Sequence, residues 1–199
     1  MSGENETDTQ DIIFEEVEEK PQRVVGIYGE INEESVSEFI GALIGFHHDR
    51  LSPPDDEGNC QTLPVEFIIS TGGGNVADMF SAYDIMRIVR RDCPVHTLAL
   101  GKVMSAGILL LAAGTRGERR IGKHCRIMLH HVLGAEQGSV VDIGQSYEEA
   151  KVMERLMFEA IAEESHLTAE QLHEIVSKNI DIFFSAEEAV EMGIADIIV

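Results

Sequence analysis

A serine, a histidine and an aspartate follow one another along the chain, and together they could form a nucleophilic site. Ser105 lies between a predicted strand and the apolar helix that starts at Ala106. A serine at a helix N-terminus can act as a nucleophile, because free backbone N–H groups there stabilise the negative charge of an oxyanion. The same position also suits a serine that only caps the helix. Ser105 alone leaves both roles open.

A run of three glycines could supply further hydrogen-bond donors. Gly72, Gly73 and Gly74 follow the predicted strand Val65–Ile69. Glycine lets the backbone approach a ligand closely, so a peptide carbonyl, a phosphate or the phosphates of CoA would suit this segment. The run lacks the ending of a Walker A loop and the spacing of a dinucleotide-binding loop. A tight turn without a ligand is the alternative.

His130 and Asp181 could complete a catalytic triad with the serine. His130 ends the predicted strand Arg126–His130, and only one of His130 and His131 can face a given site, because neighbours alternate across a strand. Asp181 is flanked by bulky apolar residues, which predicts partial burial and a partner such as a histidine N–H. A surface histidine pair and an acid at a loop end are the alternatives. No third ligand has metal-site spacing, so we predict no metal and no cofactor.

Short strands and helices alternate from Arg23 onward, which predicts βαβ units and a largely parallel sheet. The first predicted strand ends at Gly29, and Ser35 is predicted to cap the helix that follows. Residues 51–62 are rich in turn formers and predict a surface loop. The predicted strands cover residues 24–28, 65–69, 95–100 and 126–130, and the predicted helices cover residues 35–46, 76–90, 106–113 and 142–164, followed by two helices capped by Thr168 and Ser185.

Composition and charge limit the possible partners and location. The net charge of −21 argues against binding to nucleic acid or to an anionic membrane. Eight acids lie in the first twenty residues, which predicts an acidic, mobile segment over residues 1–22 ahead of one domain over residues 23–199. Three widely spaced cysteines fit a reducing compartment, and we see neither a membrane span nor a secretory signal. A cytoplasmic location is predicted.

The stretch Val65–Val199 resembles the proteolytic subunit of the Clp protease, ClpP, in six segments that agree in order and spacing. The segment Gly101–Ser105 looks like the family's nucleophile motif, and Arg126–His130 is similar to its histidine motif. Asp181–Ala189 resembles the motif that carries its catalytic aspartate. The other three segments are ISTGGGNV (residues 69–76), LAAGTRGER (residues 111–119) and LGAEQG (residues 133–138).

The resemblance implies a serine endopeptidase. Ser105 would be the nucleophile, His130 the general base and Asp181 its orienting acid, and the backbone N–H groups of Gly73 and Ala106 would bind the oxyanion.

The resemblance also implies an α/β fold, a crotonase-like spiral of βαβ units, with a projecting helical handle over about residues 133–166. Two stacked heptameric rings of this chain, a tetradecamer, would enclose a chamber fed by an ATP-driven AAA+ unfoldase. Unfolded polypeptides would be degraded there. A substrate peptide would add as a strand beside the segments of Gly74 and Gly134, with Asn75 and Leu133 also in contact with it.

The chain departs from the family's pattern at several places. Gly72 stands where a proline is usual, His131-Val132 replaces a Gln-Pro pair, and Asn179-Ile180 replaces an Asp-Arg pair that couples the two rings. The loop over residues 51–62 is longer than usual. Three other functions are alternatives to the endopeptidase: an inactive ClpP-like ring subunit, a crotonase-type acyl-CoA enzyme, and a Ser-Lys signal-peptide peptidase with Lys102 or Lys123 as its base.

Overall fold

A computed structural model describes residues 22–134, 137–178 and 180–199. The predicted acidic segment lies outside the described residues except for Gln22. Ala135 and Glu136 of the predicted substrate edge also lie outside them, as does Asn179 of the predicted ring-coupling position.

A twisted sheet of seven strands organises the described part of the chain. Five strands form the order β1-β2-β3-β4-β7, and β5 joins this sheet by pairing with both β3 and β6. All of these pairings are parallel except that of β5 with β6. The predicted parallel sheet is therefore confirmed. The strands are β1 (Val24–Ile31), β2 (Val65–Gly74), β3 (Val95–Met104), β4 (Arg119–Ile121), β5 (Arg126–Leu129), β6 (Ile182–Phe184) and β7 (Ile197–Ile198).

Six helices connect these strands. The longest, α4, has 25 residues and corresponds to the predicted handle helix, although it begins two residues earlier, after its cap Ser139. Thr168 and Ser185 cap α5 and α6 as predicted, each with its reciprocal capping box. The helices are α1 (Glu33–His48), α2 (Val76–Val89), α3 (Gly107–Ala112), α4 (Val140–Glu164), α5 (Ala169–Val176) and α6 (Ala186–Glu191).

The core lies between one face of the sheet and the helices that pack on it. Val65, Phe67 and Ile69 of β2 point into this core at alternate positions, as the period of a strand requires. The helix predicted over residues 76–90, which is α2, packs there too, with Met79 and Met86 fully buried. All six residues of α3 are buried as well, so the helix that follows Ser105 is enclosed by protein.

Several predicted boundaries are wrong. The strand β2 continues past Ile69 to Gly74, β3 continues past Leu100 to Met104, and β5 ends at Leu129, one residue before His130.

Gly29 does not end β1: it sits at a shift in the strand register with φ of 88°, and the strand continues to Ile31. Ser35 does not cap α1. Asn32 is the cap, its side chain accepts the Ser35 N–H, and the Ser35 hydroxyl accepts the Asn32 N–H. The capping box therefore begins three residues earlier than the serine suggests.

Candidate active site

Ser105 stands at the sharp turn between β3 and α3 with a backbone conformation that is rare for its residue type. Its φ is 53°, and it is the one non-glycine residue with positive φ in the described part of the chain. Such strain in a non-glycine residue often marks a functional site. The Ser105 N–H donates to Met128 O at 2.8 Å, which ties the turn to β5. Ser105 does not cap α3, whose cap is Ala106, so the capping role is excluded here.

The sheet brings the predicted histidine and aspartate together near this turn. β5 pairs with β3 from Lys102 to Met104, so both strands end on the same side, and Ser105 and His130 are the first residues after them. β6 runs antiparallel to β5 and pairs Ile182 with Leu129, which places Asp181 opposite His130. The distance from His130 Nδ1 to Asp181 Oδ1 is 3.8 Å.

This predicted triad is loosely arranged. A separation of 3.8 Å exceeds hydrogen-bond length, and within the described residues no hydrogen bond joins the Ser105 hydroxyl to His130. Catalytic hydrogen bonds are often long in ligand-free enzymes and tighten when substrate binds. The predicted partial burial of Asp181 is wrong for the isolated chain, where its side chain is 56% exposed, because its neighbours Ile180 and Phe183 are exposed too.

The two predicted oxyanion donors flank the serine but differ in their hydrogen bonds. Gly73 has φ of 97°, and a Cβ atom there would lie 2.7 Å from Ser105 Cβ, so only glycine fits against the serine. The Gly73 N–H donates to Thr71 Oγ1 at 2.9 Å. Among the described residues, by contrast, no acceptor pairs with the N–H of Ala106.

The predicted substrate contacts occupy two separate segments. Gly74 pairs with Ile31 of β1, and a Cβ there would lie 2.1 Å from Ile31 O. Asn75 caps α2 through its side chain and donates its N–H to Ile31 O, so most of its polar groups are already paired. Leu133 and Gly134 are both exposed beyond β5, Leu133 to 78%. Their contacts with substrate stay predictions.

An open cleft of about 330 Å³ runs along the glycine segment. Its lining residues come from the ends of β1, β2 and β3, on the side of the sheet where Ser105 lies. They are Gly29, Glu30, Gly72, Gly73, Gly74 and Lys102. An extended peptide could reach the nucleophile along such a cleft.

A contact that the sequence did not predict joins the histidine strand to the handle helix. Glu154 of α4 accepts the Val132 N–H at 2.8 Å and lies 3.0 Å from His131 Nδ1 through the same oxygen, Oε2. His131 thus turns toward α4, while its neighbour His130 lies toward Asp181. The replacement of the usual Gln-Pro pair by His131-Val132 was the available signal.

Buried ion pairs fix the helices behind the site. Arg119, only 3% exposed, pairs with Asp196 and donates to the carbonyl oxygens of Glu164 and Gly193. Burial alone would raise the pKa of Asp196, but its hydrogen bonds from Arg119 and the Arg119 charge outweigh burial and hold that pKa below the usual range. A second ion pair, between Arg90 and Glu164, fastens α2 to the end of the handle helix.

Neither a membrane-spanning helix nor a metal cluster is found in the described residues. Each helix there is too short or too polar to cross a bilayer. No three histidine, cysteine, aspartate or glutamate side chains come close enough together in that part of the chain to hold an ion.

The mixed α/β structure with its largely parallel sheet is consistent with the fold of ClpP-like and crotonase-like proteins. Comparison with known proteins agrees: the family model described as Clp protease matches residues 11–199. This chain belongs to the Clp protease family, and both the predicted family and the predicted fold class are confirmed.

Three curated relatives are ATP-dependent Clp protease proteolytic subunits. Subunit 2 of Mycolicibacterium paratuberculosis is 30% identical over 178 residues, which cover 89% of this chain and 82% of the relative. Subunit 2 of Corynebacterium jeikeium is 30% identical over 195 residues, or 98% of this chain and 84% of the relative. Subunit 1 of Corynebacterium glutamicum matches with the same identity and coverage. The chain is a peptidase of the Clp type, and these matches do not favour the acyl-CoA and signal-peptidase alternatives.

Proposed function

We propose that this chain is a serine endopeptidase in which Ser105 attacks the scissile carbonyl, His130 is the general base and Asp181 orients the histidine. The observation that carries this proposal is the strained turn at Ser105, with φ of 53°, fastened to the strand that leads to His130. The Ser105 hydroxyl lies next to Gly73, because a Cβ atom on Gly73 would be 3.3 Å from Ser105 Oγ. Family membership adds independent support.

The chemistry follows from which imidazole nitrogen faces the acid. His130 Nδ1 lies toward Asp181, so Nε2 is the nitrogen that takes the Ser105 proton as the hydroxyl oxygen attacks the carbonyl carbon. The tetrahedral oxyanion lies between the backbone N–H groups of Gly73 and Ala106. Its collapse breaks the peptide bond, His130 passes the proton to the leaving amine, and an acyl-enzyme forms. A water molecule, deprotonated by His130, then releases the acid product.

The substrate is an extended, unfolded polypeptide that lies along the cleft beside Gly74 on one side and beside Leu133 and Gly134 on the other. Gly74 and its neighbours lie at the ends of strands, so a substrate strand can continue the sheet through backbone hydrogen bonds. Backbone pairing of this kind accepts many sequences, as a degradative peptidase requires.

Assembly into rings encloses the site, and an ATP-driven AAA+ unfoldase in the cytoplasm delivers the substrate. Apolar side chains on the handle helix support assembly, because the isolated chain leaves them in water. Val140 is 88% exposed, and Val141, Ile143 and Tyr147 are exposed as well. An apolar patch of this kind marks a protein interface. Two stacked heptameric rings fit the family pattern.

The test combines imaging with degradation of an unfolded protein. Purified wild-type chain, imaged by negative stain, should show ring-shaped particles whose side views reveal two layers. With a cognate unfoldase and ATP, these particles should degrade a fluorescent unfolded protein, whereas Ser105→Ala particles of the same size should not. Rings that form but never cleave, with or without unfoldase, would instead identify an inactive ring subunit.

A further inference from the structure

The buried hydroxyl of Thr71 accepts a hydrogen bond from the Gly73 N–H, which the proposed mechanism requires for the oxyanion. Thr71 Oγ1 lies 2.5 Å from Gly29 O, 3.3 Å from Gly73 O and 2.9 Å from Gly73 N. A hydroxyl group has one proton, and the nearer carbonyl, that of Gly29, is its acceptor. The lone pairs of the same oxygen then accept the Gly73 N–H.

This hydrogen bond competes with the oxyanion. An N–H group carries one hydrogen, and sharing it between two acceptors lengthens and weakens both interactions. The N–H of Ala106 has no such competitor among the described residues. The Ala106 N–H is therefore available to the oxyanion, while the Gly73 N–H is already bonded to Thr71.

The glycine segment has the freedom to release that N–H. Gly73 has a φ of 97° and Gly74 a φ of 157°. Because glycine has no Cβ atom, its backbone can change between positive and negative φ at little steric cost. A Cβ on Gly72 would meet nothing closer than the flexible end of Lys102, at 3.8 Å. The peptide that joins Gly72 to Gly73 borders the open cleft, which leaves space on that side for the peptide to turn, while Gly73 and Gly74 are held on the other side by their pairing with Glu30 and Ile31 of β1.

We propose that Thr71 is a latch on the oxyanion hole: its hydroxyl holds the Gly73 N–H in the resting site, and catalysis requires the Gly72–Gly73 peptide to turn this N–H toward the substrate oxygen. Thr71 is a positioning residue, since it acts through Gly73 and not on the substrate. The proposal rests on the proposed function, in which Ser105 is the nucleophile.

Kinetics of three variants test the latch. Thr71→Val keeps the shape of the side chain but removes the acceptor, so kcat should rise about two- to tenfold, the range expected for one net hydrogen bond, with KM unchanged. Thr71→Ser keeps the hydroxyl and should keep kcat within about twofold of wild type. Thr97→Val is the matched control, because Thr97 is equally buried on the neighbouring strand and its hydroxyl donates to Leu111 O at 3.0 Å, away from the site.

A lower or unchanged kcat in folded Thr71→Val overturns the latch, because Thr71 would then support the hole or play no part in it. A crystal structure of the wild-type particle with a peptide boronate gives an answer even if Thr71→Val does not fold. Bound boronate should accept the Gly73 N–H, with the Gly73 N to Thr71 Oγ1 distance beyond 3.5 Å. A boronate bonded to Ser105 with the Thr71 contact intact refutes the latch alone. A boronate that never bonds to Ser105 refutes the proposed function instead.

Discussion

Asp181 Oδ1 lies 3.8 Å from His130 Nδ1, one residue beyond the point where β6 pairs with β5. The pairing of these two short strands therefore determines how the acid meets the base. Asp181→Asn should lower kcat by about 10²- to 10⁴-fold and change KM little, because the amide fails to stabilise the imidazolium that forms when His130 takes the proton. Steady-state kinetics on a fluorogenic peptide measure this. A loss below tenfold would show that the acid is not part of the site.

Glu154 should control activity from the handle helix. Glu154→Ala removes the acceptor shared by Val132 and His131, so the segment just after His130 becomes loose, and kcat should fall by about tenfold or more. Glu148→Gln is the matched control on the same helix, because its carboxylate is 68% exposed and pairs only with Lys151 in the described residues. The two variants are compared by kcat and by particle size. Equal activity with equal assembly would mean that this contact does not position His130.

Gly73 should tolerate no side chain. Gly73→Ala places a methyl group 2.7 Å from Ser105 Cβ in a backbone conformation unfavourable to alanine, so the donor must move and kcat should fall by at least about 10²-fold. Gly72→Ala should instead keep the wild-type melting temperature, because its nearest contact is 3.8 Å away. Thermal unfolding of both variants separates a local defect from general loss of structure. An active Gly73→Ala enzyme would contradict the proposed placement of the oxyanion.

Asp196 should make the free energy of unfolding depend on pH. Its pKa is lowered in the folded chain, so its stabilising effect is complete above the ordinary pKa of 3.8 and is lost as pH falls through the lower folded value. Asp196→Asn leaves the buried Arg119 without its anionic partner and should cost about 3 kcal/mol in the free energy of unfolding near neutral pH.

Melting temperatures at several pH values check this. The difference between wild type and Asp196→Asn should be largest at neutral pH and should shrink in acid. Glu159→Gln, which removes an exposed ion pair with Arg155, is the control and should change the melting temperature little at any pH. A difference that grows as pH falls would contradict the assignment.

Much of this fold could be predicted from local patterns. The helix α2 and the caps Thr168 and Ser185 were predicted well, because each depends on residues only a few positions apart in sequence. The strands β4, β6 and β7 were missed because each has only two or three residues, too few for a period to show. These short strands form only by pairing with other strands of the sheet, which lie far from them in sequence.

The candidate site was predictable in its residue types and not in its hydrogen bonds. Ser105, His130 and Asp181 were found from motifs, and the sheet brings them to one end. The strain at Ser105 could not be read from the sequence, since φ is set by how β3 meets α3 and by the bond to Met128. The contact of Thr71 with Gly29 joins two neighbouring strands, and the contact of Glu154 with Val132 joins α4 to the segment after β5, so both depend on residues far apart in sequence.

Covalent labelling of the assembled particle with a fluorophosphonate tests the central claim, that Ser105 is an activated nucleophile. Mass spectrometry of the digested product should find the adduct on the peptide that contains Ser105, and Ser105→Ala should abolish it. His130→Ala should slow labelling by orders of magnitude, because the base that takes the serine proton is gone. An assembled wild-type particle that stays unlabelled, or a Ser105→Ala particle that labels as fast as wild type, would contradict the account.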